Sequence, residues 1–252
     1  MENKTHNENV IEQFSKQASN YTSIVAHRDA LEELITISFA TKEDNVLDIA
    51  CGSGIVSCEF AKHVNHVTGI DITQEMINEA KKLQAKFQLK NIDWEIGEVT
   101  SLPYPDNNFS IVVSRFGLHH FLNPQLVLTE MIRVCKPDGI VMVVDVALPD
   151  NKIDAYNMME KNRDSSHVKA LSVKEFEMLF EKSNLKGIKQ SSYTLKIELE
   201  EQLKASFPEN SEALREMILE DIGIDNLGVN ATKIDGKVFL HYPICIFSGM
   251  KV

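Results

Sequence analysis

The chain has 252 residues, 43% of them hydrophobic and 25% charged, which suits one globular domain with at most a small addition. Lys and Arg total 26 against 37 Asp and Glu, and the net charge of −11 disfavours nucleic acid as the main partner. The polar opening lacks the apolar stretch of a secretory signal, and no apolar run is long enough to span a bilayer. We therefore expect a cytoplasmic protein, with its oligomeric state left open.

The first part of the chain alternates between helical and strand-like patterns. Apolar residues recur at helical spacing over 8–40, which predicts a helical N-terminal segment. A strand is predicted at 46–50, followed by a glycine turn and a helix ending near Lys62. A second strand at 66–72 leads into a predicted helix over 74–87, with Thr73 placed as its N-cap.

The middle of the chain continues the same alternation. Further strands are predicted at 91–99, 109–116 and 140–147. Asn123 and Pro124 open a helix between the last two, because an N-cap residue followed by proline at the first helical position is a common helix start. Five strands that alternate with helices predict a parallel, doubly wound sheet.

The last third is less regular. An amphipathic helix is predicted at 171–184 and a sixth strand at 185–199. The final strand, 239–252, contains Pro243, which predicts an edge position or a bulge because proline cannot donate a ladder hydrogen bond. Residues 199–236 are too long for a hairpin loop and are expected to form a cap.

Taken together, these elements predict an α/β fold with a doubly wound, Rossmann-like, seven-stranded and mostly parallel sheet. We find no internal repeat or flexible linker, so residues 1–252 are expected to form a single domain. The N-terminal helices over 8–40 and insertions at about 150–170 and 199–236 are expected to cover the substrate. The four cysteines show no CxxC spacing, which predicts reduced thiols.

The most informative segment is VLDIACGSG, residues 46–54, in which a strand runs into a glycine turn. Gly52 and Gly54 let the backbone approach a ligand closely, but the third glycine of a dinucleotide fingerprint is missing. Asp48 lies four residues before the turn, where a carboxylate suits a positively charged ligand better than a pyrophosphate. The pattern therefore favours a nucleoside that carries an amino acid.

Two more acids follow at the ends of later strands. Asp71 ends the second strand, where an acid accepts hydrogen bonds from both ribose hydroxyls. Glu98 ends the third strand, where it could accept a hydrogen bond from an adenine amino group. Because the carboxyl ends of parallel strands form one crevice, Asp48, Asp71 and Glu98 are expected to surround the same ligand.

These segments resemble class I S-adenosylmethionine-dependent methyltransferases, most closely the branch of the ubiquinone and menaquinone biosynthesis methyltransferases. The matching segments are VLDIACGSG, GIDIT, GEVTSLPYPDNNFSIVVSRFGLHHF and RVCKPDGIVMVVDV, with FSKQASNY near the N-terminus. The chain departs from the branch at Glu98, where Asp is common, and at Asp138, where Gly is usual. The segment after Asp150 carries no obvious substrate label.

The resemblance implies S-adenosylmethionine as cofactor and a small-molecule methyl acceptor as partner. Asp71 is implied to hold the ribose, and the end of the fourth strand is implied to lie beside the transferable methyl. The full implied set of cofactor contacts is Gln17, Tyr21, Asp48, Ala50, Cys51, Gly52, Gly54, Asp71, Ile72, Met76, Gly97, Glu98, Val99, Ser114, Arg115 and Phe116.

Candidates for acid–base chemistry follow the fourth strand. His119 and His120 lie on the expected cofactor side and titrate near neutrality, although either could simply bond the backbone. Arg163 and His167, in the segment RDSSHV, are candidates for substrate contact, or for a solvated turn. No metal site is expected, because adjacent histidines point in different directions and no third ligand has suitable spacing.

The favoured function is a methyltransferase that moves a methyl group to a small molecule by in-line displacement. The alternative is a regulatory protein of the same fold that binds the cofactor without turnover. An NAD-dependent oxidoreductase is opposed by the missing glycine and by Asp48. The acceptor, and whether its methylated atom is carbon, oxygen or nitrogen, are left open.

Overall fold

The computed structural model describes residues 5–252, and one twisted sheet organises them. Its strands are β1 (Asn45–Ile49), β2 (His66–Asp71), β3 (Ile92–Ile96), β4 (Phe109–Arg115), β5 (Cys135–Leu148), β6 (Leu171–Ser172), β7 (Leu185–Glu198), β8 (Thr232–Ile234) and β9 (Lys237–Lys251). The main path runs β3-β2-β1-β4-β5-β9-β7, while β6 pairs with β5 and β8 with β9. The first five strands are parallel and β9 is antiparallel to both neighbours, which confirms the predicted fold class and adds two short strands.

Helices cover both faces of the sheet. They are α1 (His6–Ser23), α2 (Leu31–Ser38), α3 (Ile55–Phe60), α4 (Gln74–Phe87), α5 (Pro124–Val134), α6 (Ile153–Arg163), α7 (Val173–Glu181), α8 (Leu199–Ser206) and α9 (Ser211–Glu220). The predicted start of α5 is confirmed, because the Asn123 side chain accepts from the backbone N–H of Leu126. None of the helices within 5–252 has the length and apolarity needed to cross a membrane.

Side chains of the central strands enter two apolar cores. Along β5, Met142 and Val144 pack into one core, while Val141 and Val143 pack into the core on the opposite face. All four side chains are almost completely buried. A central strand covered by helices on both faces needs apolar residues at every position, which explains the unbroken apolar run in the sequence.

The predicted helical segment 8–40 is divided into two helices. Between α1 and α2 the chain forms a short 3₁₀ turn at Val25–Arg28, and Ala30 adopts a left-handed conformation with φ of 58°. The carbonyl groups of His27 and Asp29 accept hydrogen bonds from Arg115 at 2.5 and 3.1 Å. The break comes from this long-range contact, which helical periodicity does not reveal.

The prediction for Pro243 was wrong in part. β9 lies inside the sheet between β5 and β7, and Pro243 pairs with Thr194 of β7 without a bulge at that position. On the other side of β9, pairing with β5 starts only at Ile244. The proline therefore lies just beyond the doubly paired part of an interior strand.

The segment 199–236, expected to form a cap, contains α8 and α9 and then turns into β8. This short strand pairs with the beginning of β9, so the segment ends as a β-hairpin. α8 contacts α1, β7 and β9, which places it above the same end of the sheet as the N-terminal helix. Thr73 occupies the predicted N-cap position of α4, but its side chain makes no capping hydrogen bond.

Candidate functional site

A cavity lies at the carboxyl ends of β1 to β4 and is covered by α1. We call it the outer cavity. Of the sixteen predicted cofactor contacts, twelve line it: Tyr21, Ala50, Cys51, Gly52, Asp71, Ile72, Met76, Gly97, Glu98, Val99, Arg115 and Phe116. The topology brings these residues together because parallel strands end at the same edge of the sheet.

Asp71 forms the polar centre of the outer cavity. Its two carboxylate oxygens accept from the backbone N–H of Gly52 and the backbone N–H of Thr73, each at 2.8 Å. Burial raises the pKa of this carboxyl, and the two backbone hydrogen bonds oppose the rise. Each oxygen keeps a lone pair, so the carboxylate can accept two further hydrogen bonds from a vicinal diol.

The glycine turn leaves space that a ligand can fill. A Cβ added to Gly52, whose φ is +51°, would meet no atom within 4 Å. Beside it, the buried hydroxyl group of Ser53 has no hydrogen-bond partner within residues 5–252. Buried polar groups are normally paired, so this hydroxyl indicates that a polar ligand completes the outer cavity.

Gly54 has a different role from the one implied by the resemblance. It does not line the outer cavity, and a Cβ at this position would lie 2.5 Å from Trp94 and 2.8 Å from Ala80. Its φ of +74° is one that other residues rarely adopt. Gly54 therefore allows the start of α3 to pack against α4 and β3.

Asp48, predicted as the third acid around the ligand, lies apart from the other two in the structure. This side chain is 1% exposed, does not line the outer cavity and accepts a 2.5 Å hydrogen bond from Ser57 Oγ. Burial raises its pKa to about 7, against the hydrogen bonds from Ser57. Ser114 is also buried away from the cavity. Asp48 instead holds the first turn of α3 to β1.

The N-terminal helix supplies contacts that the sequence reasoning missed. His6, Asn7, Val10 and Phe14 line the outer cavity, and Asn7 Nδ2 donates to Glu98 Oε1 at 2.7 Å. The apolar spacing of Val10 and Phe14 was the available signal, because residues four apart share one helix face. His6 of α1 also contacts the segment after β4, where its Nε2 lies 2.7 Å from the backbone carbonyl oxygen of His120.

A second, smaller cavity adjoins the first, and we call it the inner cavity. The two cavities share Phe14, Tyr21, His27, Phe116 and His120 as lining residues. The remaining walls come from α6, α8 and the inward faces of β5, β7 and β9, and most of these side chains are buried. Gln17, predicted as a cofactor contact, lines this inner cavity instead of the outer one.

His119 lines the inner cavity and forms a pair with Asp145 of β5. Its Nδ1 lies 2.6 Å from Asp145 Oδ1, and its backbone N–H donates to the other carboxylate oxygen at 3.2 Å. Burial lowers the pKa of His119, but the nearby Asp145 carboxylate outweighs it, so the pKa is raised. With Nδ1 bound to the carboxylate, Nε2 is left to exchange a proton with a ligand.

His120 and His167 are held in structural contacts. His120 lines both cavities, but burial and the neighbouring His119 lower its pKa to about 3, so it stays neutral. His167 lines neither cavity and its Nε2 lies 2.7 Å from Asn157 Oδ1. Burial lowers the pKa of His167 to about 2. Of the three histidines, only His119 combines a carboxylate partner with a face on the inner cavity.

Two arginines near the cavities are engaged by the protein itself. Arg115 donates to the carbonyls of His27 and Asp29 and to Tyr193 Oη, so it holds the turn between α1 and α2 in place. Arg163 lines the inner cavity and donates to Glu160 through Nε and Nη2. Among residues 5–252, no group of His, Cys, Asp or Glu side chains has the arrangement of a metal site.

Comparison with known proteins gives a consistent family. The model of a family described as "Methyltransferase domain" matches residues 40–203. The uncharacterized methyltransferase YcgJ of Bacillus subtilis is 31% identical over 176 residues, 68% of this chain and 70% of that protein. Its crystal structure superimposes with a TM-score of 0.79 at 26% identity, covering 89% of this chain and 99% of that chain. A demethylmenaquinone methyltransferase of Listeria monocytogenes is 31% identical over 155 residues, 59% of this chain and 65% of that protein.

Proposed function

The chain belongs to the methyltransferase domain family, and from that premise we propose that it transfers a methyl group from S-adenosylmethionine to a small-molecule acceptor. The observation that carries the proposal is the junction of the two cavities. The outer cavity offers a carboxylate to a ribose, apolar side chains to a base and open space at the glycine turn, and the inner cavity adjoins it at Tyr21 and Phe116. The acceptor binds in the inner cavity.

The residues of the outer cavity fit the cofactor. Asp71 can accept hydrogen bonds from the two ribose hydroxyls, and Gly52 leaves space for the close approach of the methionine part. Ile72 and Met76 offer an apolar surface to the adenine ring. Tyr21 presents an aromatic ring, which attracts a sulfonium cation through its quadrupole, whereas the Phe116 ring already has the Arg115 guanidinium over it at 4.3 Å.

The protein's contribution to the reaction is orientation and proton transfer. When bound, S-adenosylmethionine supplies a methyl carbon that bonds to the acceptor atom while its bond to sulfur breaks, leaving the electron pair on sulfur. The walls of the inner cavity hold the acceptor atom in line with that bond. His119 Nε2 takes the proton that the acceptor loses, and Asp145 fixes the ring orientation and stabilises the resulting imidazolium.

The names of related proteins support a small-molecule acceptor without defining it. The Listeria protein is named for demethylmenaquinone, but the match covers only 65% of its length. YcgJ, which matches over a larger share of both chains, has no acceptor in its name. The pair of His119 and Asp145 on the inner cavity argues against the alternative of a cofactor-binding protein without turnover, since such a protein needs no proton acceptor.

Asp71→Ala tests the cofactor site. Removal of a charged hydrogen-bond acceptor should weaken binding of S-adenosylhomocysteine by about 1.5–3 kcal/mol, or roughly 10- to 150-fold in Kd. Isothermal calorimetry measures this directly. Asp93→Ala, which changes an exposed acid of the neighbouring strand β3, is the matched control and should bind like the wild type. Failure of the wild-type protein to bind S-adenosylhomocysteine at millimolar concentration would overturn the proposed function.

A further inference from the structure

The inner cavity contains a positive charge that is already neutralised. Arg163 Nε lies 3.0 and 2.9 Å from the two carboxylate oxygens of Glu160, and Nη2 lies 2.6 Å from Oε2. The Arg163 side chain is 14% exposed and that of Glu160 is 3% exposed. The carboxylate cancels the charge of the guanidinium, which weakens the attraction of Arg163 for an anionic ligand, although its Nη1 N–H groups remain as donors.

The other carboxylates beside the inner cavity also have partners. Asp164 accepts from the backbone N–H and hydroxyl of Ser166 at 2.8 and 2.5 Å, and from Gln17 Nε2 at 3.0 Å. Asp145 accepts from His119, as described above. Asp145 does not line the inner cavity, and both carboxylates are already stabilised by these hydrogen bonds, so a ligand ammonium group gains less from them than from a carboxylate without partners.

The balance of these charges disfavours ionic acceptors of both signs. The charges of Glu160 and Arg163 cancel. Those of Asp164 and Asp145 are opposed by the guanidinium of Arg115, which lies over the Phe116 ring, and by His119 when it is protonated, so no net charge attracts an ion of either sign. An ammonium group would find no unpaired carboxylate and would be close to the sulfonium of the cofactor. A buried ligand charge without a counter-charge costs several kcal/mol in lost solvation, so an uncharged acceptor is favoured.

Two unpaired polar atoms indicate where an uncharged acceptor is recognised. Tyr242 Oη and Gln202 Oε1 are buried, line the inner cavity and have no hydrogen-bond partner within residues 5–252. The hydroxyl can donate and the amide oxygen can accept, which suits a neutral oxygen or nitrogen substituent. The rest of the lining includes the apolar side chains of Ile24, Val146 and Leu195.

We propose that the inner cavity takes an uncharged acceptor with an apolar body and a hydroxyl group, and that Glu160 determines this selectivity by neutralising Arg163. The inference rests on the proposed function, since it assigns the acceptor of the same reaction. The acceptor oxygen bonds to the methyl carbon, the carbon–sulfur bond breaks with its electron pair remaining on sulfur, and the hydroxyl proton passes to His119 Nε2.

Three probes that share the naphthalene ring and differ in the charge of one substituent test the selectivity: 2-naphthol, 2-naphthoate and 2-naphthylmethylammonium. Calorimetry is performed on the full chain saturated with S-adenosylhomocysteine. That ligand fills the outer cavity, so the probes can bind only in the inner cavity. We expect 2-naphthol to bind at least tenfold more tightly than either ion. Equal or tighter binding of an ion, or no binding of 2-naphthol at millimolar concentration, overturns the inference. The proposed function fails separately, if S-adenosylhomocysteine itself does not bind.

Glu160→Gln tests the specificity-determining residue. The variant keeps the shape of the side chain but removes its charge, so Arg163 becomes available to an anion. We expect 2-naphthoate to bind at least tenfold more tightly than it binds the wild type, with 2-naphthol changed less than threefold. Glu212→Gln is the matched control, because Glu212 pairs with Arg215 at the same sequence spacing but lies outside both cavities.

Arg163→Gln is the reciprocal variant, and it tests the same pair if the Glu160→Gln protein does not fold. It leaves the carboxylate of Glu160 unpaired, so binding of 2-naphthylmethylammonium should improve at least tenfold while 2-naphthoate still fails to bind. Circular dichroism melting shows which variants are folded. Unchanged probe selectivity in a folded Glu160→Gln or Arg163→Gln protein would overturn the role of the pair.

Discussion

His119 and His120 are neighbours in the chain, but their environments give them opposite properties. His119 meets the carboxylate of Asp145, whereas His120 is surrounded by buried groups and a second histidine. The sequence predicted both as candidate bases because it shows the two histidine side chains but not the groups that surround them in the fold. The partner that distinguishes them comes from β5, 26 residues later in the chain. Only the register between β4 and β5 brings the two together.

The pair of His119 and Asp145 predicts a specific pH dependence. Asp145 raises the pKa of His119 above its usual 6.5 in spite of burial, so the neutral, proton-accepting form increases as the pH rises through that value. In Asp145→Asn the carboxylate charge is lost and burial remains, so the pKa should fall below 6.5. Turnover at neutral pH should decrease about 10²- to 10⁴-fold, because the ring is no longer held and its imidazolium no longer stabilised.

Two measurements check this prediction. An NMR titration of the histidine ring protons follows the pKa of His119 without any acceptor, and release of S-adenosylhomocysteine follows turnover. Asp93→Asn, an exposed acid of β3, should leave both unchanged. A His119 pKa that is the same in the wild type and in Asp145→Asn would contradict the electrostatic role of Asp145.

Asp71 and Asp48 show which site residues a sequence pattern can identify. Asp71 ends its strand, and the carboxyl ends of parallel strands border the crevice in which such sheets bind ligands. Asp48 lies inside β1, where side chains alternate between the two faces of the sheet, and its carboxylate is taken up by Ser57. That hydrogen bond depends on the orientation of α3 above the sheet, which local spacing does not determine.

At the scale of elements, the glycine turn combines two separate requirements. Gly52 keeps ligand space open, while Gly54 keeps α3 close to Trp94 and Ala80. The motif was visible in the sequence, but its division into a binding position and a packing position was not. That division depends on where β3 and α4 lie relative to the turn, and these elements are 20 or more residues away in the chain.

Alanine substitutions should separate these two requirements. Both positions have positive φ, so both variants pay about 1–2 kcal/mol of backbone strain. Gly54→Ala also forces a methyl group into Trp94, which should cost a further 1–3 kcal/mol, roughly, in the free energy of unfolding. Gly52→Ala should instead weaken binding of S-adenosylhomocysteine, because its methyl group enters ligand space.

Urea denaturation measures the free energy of unfolding of the two variants, and calorimetry measures their affinity for S-adenosylhomocysteine. Each variant is the control of the other, since they share the strain and differ in what the new methyl group meets. Gly52→Ala with unchanged affinity for S-adenosylhomocysteine would show that the ligand does not approach this position. Equal free energies of unfolding in the two variants would show that α3 can shift away from α4.

In the whole molecule, the sequence predicted the sheet well, but it predicted the helices that cover the cavities, α1 and α8, less precisely. Strand positions were recovered because alternation and apolar runs are local properties. The cover depends on long-range contacts, in which Gln13 and Asn20 of α1 donate to backbone carbonyls of Ser206 and Lys204 at the end of α8. Helical periodicity predicted that such helices exist, but polar contacts of this kind leave no periodic signal.

The position of α1 predicts that it must move for the ligand to exchange. Side chains of α1 line both cavities, so movement of α1 away from the sheet exposes the cofactor site. No residue of α7 lines either cavity, so local unfolding of α7 leaves the cofactor site covered. A ligand at 100 times its Kd opposes such an opening by about 2.7 kcal/mol. Hydrogen exchange of α1 amides should therefore slow up to roughly 100-fold with S-adenosylhomocysteine, while locally opening amides of α7 keep their rates. If both helices were slowed equally, the ligand would be suppressing global unfolding alone, and α1 would not be the part that opens.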